Sequence, residues 1–171
     1  WPLGAIRVTV SPAATPRFFA SSTPSTMAKL PGCKACSTSV LVAAARSRQG
    51  ASFALVGSLP HPRYEFALSV ALYTEWQAVL TRPEHLPPGL QPQDALAYLR
   101  YLASIAHLQD VHYLWRPFLR DPDDDMVLEC AVASGSRYLV THNVRDFARI
   151  TSLGISPVTP AEFLDMLRSP T

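Results

Sequence analysis

The chain has 171 residues, a formal net charge of +2, 48% hydrophobic residues and only 16% charged ones. That length and apolar content suit one domain with a sizeable core rather than a disordered chain. No apolar run reaches the roughly 18–20 residues of a bilayer span, and the longest lies near Val40 to Ala45. Three cysteines close no disulfide set, so the expected setting is reducing and cytoplasmic. The charge is uneven. Residues 1–64 hold seven Lys or Arg and no acid, whereas all thirteen acids lie from Glu65 onward. No basic cluster offers bulk attraction for nucleic acid, so a polyanion must be held by a few arginines or by metal ions.

Residues 1–32 are rich in Pro, Ser, Thr and Ala and show no long period. They read as a loosely ordered extension, or as sequence upstream of a natural start such as Met27, before one domain over residues 33–171. Cys33-Lys34-Ala35-Cys36 has the spacing of a redox or zinc pair, but the second C-x-x-C of a zinc ribbon is missing. Gly32 to Cys36 makes a weak strand. Ser39 to Ser47 and Ala51 to Leu59 predict two helices split at Gln49-Gly50. Tyr64 to Val70 predicts a strand, and Leu72 to Leu80 a helix ended by Arg82-Pro83. Pro92 to His107 predicts a helix, with Leu99, Leu102, Ala103 and Ala106 on one face.

Val111 to Trp115 predicts a short strand, with Trp76 and Trp115 as core residues. Met126 to Ser134 predicts a helix closed by Gly135, with Cys130 as a small core residue. Arg137 to Thr141 and Ile155 to Val158 predict strands. Pro160 to Arg168 predicts a terminal helix, with Thr159 as N-cap and Glu162 completing a capping box. Strands alternating with helices imply an α/β fold with a mostly parallel sheet. Ligand-binding residues then belong at the carboxyl ends of strands.

Three acidic features fit that placement. The turn Asp121-Pro122-Asp123-Asp124-Asp125 puts four acids in five residues. An EF-hand loop is excluded, because Met126 and Val132 stand where Gly and Glu are required. Helix capping accounts for one or two of the acids, and a bound cation would relieve the repulsion among all four. Asp146 follows a strand, in Thr141-His142-Asn143-Val144-Arg145-Asp146. Glu75 sits near the apolar face of its helix, either as an edge residue or as a placed acid.

Taken together, these features resemble a PIN domain, of the branch of VapC-like toxins of toxin–antitoxin systems. The resemblance covers about residues 36–168. It rests on Thr38 to Ala44, Tyr73 to Glu84, Arg120 to Ala131, Tyr138 to Phe147 and Pro157 to Leu164. It implies a three-layer α/β/α sandwich with a central sheet of 4–5 strands, and a metal-dependent endoribonuclease using Mg²⁺ or Mn²⁺. RNA is then the substrate, a protein antitoxin the partner, and a second copy of the chain a further candidate partner. On the matched positions Glu75, Asp124 and Asp146 are the catalytic, metal-holding acids, and Asn143 adds a carbonyl oxygen. Asp123 and Asp125 are the alternatives to Asp124 one residue away. Thr38, Ser39 and His142 are the expected substrate contacts. One departure stands out. The family's first strand ends in Asp-Thr-Asn or Asp-Thr-Ser, whose Asp is a central ligand, and here the triplet is Ser37-Thr38-Ser39. The resemblance therefore implies either a weakened nuclease or a non-catalytic binding module for RNA or protein.

Overall fold

A computed structural model describes residues 34–169. The expected extension over residues 1–32 and Cys33 lie outside the described residues. The elements run β1 (Lys34–Cys36), α1 (Thr38–Arg46), α2 (Ala51–Gly57), β2 (Phe66–Ser69), α3 (Val70–Leu80), α4 (Pro92–Ile105), β3 (His107–Gln109), α5 (Asp125–Ala133), β4 (Tyr138–Val140), β5 (Ser156–Val158) and α6 (Pro160–Arg168).

The five strands form one sheet in the order β3-β2-β1-β4-β5, and every pairing is parallel. Central β1 is only three residues long, yet it bonds to β2 on one side and β4 on the other, with Lys34 opposite both Phe66 and Tyr138. The order reverses at β1: β2 and β3 lie to one side, β4 and β5 to the other. Right-handed crossovers in opposite directions place helices on both faces, which gives three layers. The reversal also opens a crevice at the carboxyl ends of β1 and β4, the usual ligand position in such sheets. The core fills with Trp76, Leu99, Leu128, Leu139, Phe147 and Phe163, all fully buried.

Local chemistry explains the sharpest boundaries. Pro160 opens α6 at a position whose N–H needs no partner. Thr159 Oγ1 accepts from the Glu162 amide at 3.2 Å, and Glu162 Oε2 accepts from the Thr159 amide at 2.8 Å, which forms the expected capping box. Two expectations fail together. α4 stops at Ile105, the next strand is His107–Gln109, and Val111 to Trp115 forms no strand. The β-prone side chains of that segment find no sheet to cover them. Tyr113 and Leu114 point to solvent, and Trp115 is exposed rather than core. Trp76 and Cys130 are core, as expected.

Candidate active site

The crevice brings together the end of β1, the segment after β4 and the start of α5. Ser37 follows β1 directly. Its amide donates to Val140 O at 3.0 Å, so it continues the ladder beside the end of β4. Its hydroxyl is buried and shares a 2.7 Å hydrogen bond with the Ser39 hydroxyl. Thr38 is half-buried at the start of α1 and Ser39 is exposed. Across the crevice the Thr141 amide donates to Val158 O at 2.9 Å, and its buried Oγ1 accepts from the Asn143 amide at 3.1 Å. Asn143 Nδ2 donates to Asp146 Oδ2, and the Asp146 amide returns to Asn143 O at 3.2 Å. This tight turn fixes Asp146 just beyond β4. His142 is exposed, and its Nε2 lies 2.7 Å from Ser52 Oγ on α2, which ties α2 to the same loop.

The four acids of the turn divide into distinct roles. Asp121 Oδ1 accepts from the Asp123 amide at 3.0 Å, an Asx-type turn. Asp123 is exposed. Asp125 is fully buried and accepts from the amides of Leu119 at 2.8 Å and Phe118 at 3.3 Å. Asp124 occupies the N-cap position of α5, but its side chain makes no capping hydrogen bond. It is half-buried, and its pKa is pushed up to about 6. Burial is the main cause, followed by the charges of Asp121, Asp146, Asp123 and Asp125. The charge of Asp146 therefore reaches Asp124. Glu75 is half-buried on α3, which packs against α5, but it is not one of the charges acting on Asp124. Among the described residues no three His, Cys, Asp or Glu side chains are gathered closely enough to hold a metal ion.

Three residues that sequence reasoning did not single out, Glu129, Arg116 and Arg149, hold this arrangement. Glu129, one helical turn after Asp125, is buried. It accepts from the Trp115 amide at 3.1 Å and from Arg116 Nε and Nη2 at 3.1 and 3.2 Å. Asp125 and Glu129 thus bind consecutive stretches of the loop that leads to the acidic turn. The visible signal was an acid inside the apolar run Val127 to Ala131. Arg149, three residues after Asp146, donates to Phe118 O at 2.9 Å, and its guanidinium lies 5.0 Å over the Phe118 ring. Since Asp125 holds the Phe118 amide, Arg149 clasps the segment carrying Asp146 to the one carrying Asp124.

The PIN domain family matches residues 37–145, well over half of the chain. No curated protein matches the chain. Solved structures that share its fold include two VapBC complexes. One is VapBC-1 of nontypeable Haemophilus influenzae, with TM-score 0.54 and 16% identity over 75% of this chain and 98% of that one. The other is VapBC2 of Rickettsia felis bound to a promoter DNA fragment, with TM-score 0.53 and 15% identity over 74% of this chain and 98% of that one. The family match, the parallel sheet reversing at its central strand and the acids at that reversal agree: this chain belongs to the PIN domain family.

Proposed function

We propose that the protein is a PIN-type endoribonuclease dependent on Mg²⁺ or Mn²⁺, and the VapC-like toxin of a toxin–antitoxin pair with a protein antitoxin. Its VapBC structural neighbours support that setting. The observation that carries the reading is Asp124, an uncapped carboxyl at the crevice whose pKa is raised to about 6 by burial and by four neighbouring acids. Ionising such a group costs stability unless a cation answers it.

The donors suit a small hard ion, because Mg²⁺ takes one or two carboxylates and keeps several waters. Asp124 and Asp146 would hold it. Asn143, whose nitrogen is engaged with Asp146, would offer its side-chain oxygen. Glu75 would approach from α3. Held by these residues, such an ion would supply Lewis acidity toward a water and positive charge opposite the phosphate oxygens. Thr38, Ser39 and His142 would serve as hydrogen-bonding contacts for the RNA backbone. Ser37 brings no charge to the first-strand position, so the activity of this chain should be low.

The test is cleavage of RNA by the purified protein in Mn²⁺. Cutting should disappear with EDTA and with Asp124→Asn. If neither the parent nor a folded Ser37→Asp variant cuts, the nuclease reading fails. The buried Ser37 supports a second reading, a PIN-like module that binds RNA or protein without cutting. Binding unaffected by EDTA, in a protein that never cuts, would establish it.

A further inference from the structure

Trp115 is held by its backbone and open at its ring. Its amide donates to buried Glu129 of α5, yet the residue is 39% exposed. It lines two hollows. The smaller, about 140 Å³, also carries Asp110 and Glu129. The larger, about 350 Å³, carries Arg137, and among the described residues lining it Arg137 alone is charged. Arg137 is exposed, and its guanidinium lies 5.7 Å over the Tyr138 ring. Among the described residues no acid pairs with it. Gly135 and Gly154 line the same hollow, both in the left-handed region (φ 59° and 76°), and nothing lies within 4 Å of where a Cβ would stand. The wall there is bare backbone that a flat ring can approach closely.

We propose that the larger hollow binds one nucleotide of a single-stranded RNA whose cleavable phosphate lies in the crevice, with the base against the Trp115 indole and a phosphate at Arg137. The inference rests on the RNA reading above and adds a second point of attachment to it. Open aromatic rings beside cationic side chains are how proteins hold single strands, since every base can stack and every phosphate attracts a cation. A chain of ring and cation contacts leads from the crevice to the hollow. Asp125, next to Asp124, holds the Phe118 amide. Arg149 lies 5.0 Å over the Phe118 ring, and the Phe118 and Trp115 rings meet edge to face at 6.2 Å. Arg137 precedes β4 and Thr141 follows it, so at about 3.3 Å per residue the hollow and the crevice are roughly 13 Å apart along that strand. A few nucleotides of extended chain span such a gap. Charge decides which hollow the strand enters: Asp110 and Glu129 repel a phosphate from the smaller one, and Arg137 draws it to the larger.

The test is fluorescence anisotropy of a short labelled single-stranded RNA in Mn²⁺, titrated with the full chain carrying Asp124→Asn so that the strand is held and not cut. Circular dichroism and melting of each variant control for the fold. Adding Trp115→Ala should weaken binding by about tenfold, as for loss of one stacked base, and Trp115→Tyr should keep most of it. Adding Arg137→Gln should weaken binding and lower the slope of log affinity against log salt by about 0.7, the mark of one lost phosphate contact on a single strand. With Asp124 intact, both substitutions should raise KM for cleavage and leave kcat unchanged. RNA bound with these losses by a protein that never cuts supports the hollow and overturns only the nuclease reading. RNA bound and cut with no effect of either substitution overturns the hollow and leaves the nuclease reading standing. Absence of RNA binding overturns both. A polyglutamate peptide that displaces the RNA, with an affinity that Arg137→Gln lowers and Trp115→Ala does not, identifies an acidic-peptide site and overturns the inference.

Discussion

Asp124→Asn removes a charge that the folded protein holds at a cost. Folding raises the Asp124 pKa from 3.8 to about 6, so the native state binds this proton more tightly than the unfolded chain does. Stability contributed by the protonated form is present below about pH 4 and is lost as pH rises through about 6. Taken in full, the shift corresponds to about 3 kcal/mol. Asp124 is only half-buried, and solvent screening reduces that to about 1–2 kcal/mol. In EDTA at about pH 8, Asp124→Asn should therefore be more stable than the parent by about 1–2 kcal/mol, or about 2–6 °C in melting temperature. At about pH 4 the gain should vanish, because the parent is then largely protonated too. Mn²⁺ should raise the parent's melting temperature and narrow the difference. Urea and thermal melts at both pH values decide the matter. A variant no more stable than the parent at pH 8, or equally stabilised at both, would refute the reasoning.

Ser37→Asp places a carboxylate at the end of β1, beside the segment carrying Asp146. It should tighten Mn²⁺ binding and raise RNA cleavage well above the parent, while Asp124→Asn in the same background removes the gain. Arg149→Met breaks the clasp between the Asp146 and Asp124 segments. Calorimetry should read weaker Mn²⁺ binding, by about tenfold as for other groups that orient metal ligands. Glu129→Ala leaves the Trp115 amide and Arg116 without their buried acceptor. Since Arg116 is partly open to water, the loss should be about 2–4 kcal/mol, read by urea unfolding. Thr159→Ala should cost about 1 kcal/mol through loss of the α6 cap.

What the sequence determined by itself was local. The capping box and Pro160 set α6 at Pro160–Arg168, because both partners lie within one turn. Apolar periodicity located α3, α4 and α5, and the short apolar runs located β2, β4 and β5. The acidic turn and Asp146 were visible as chemistry-bearing residues for the same reason, since charge density is a property of neighbours in the chain. Tertiary structure decided the rest. Nothing in Lys34–Cys36 favours a strand strongly, and β1 forms because strands 32 and 104 residues away bond to both its edges. The edge strand fell at His107–Gln109 rather than Val111 to Trp115 because pairing with β2 outweighed β-propensity. The acids of the turn look alike in sequence. Only folding buries Asp125 against loop amides, leaves Asp124 uncapped and brings the charge of Asp146 to bear on it. The reason is physical: a carboxylate's role depends on its desolvation and on which donors and charges surround it, and those arrive from distant segments.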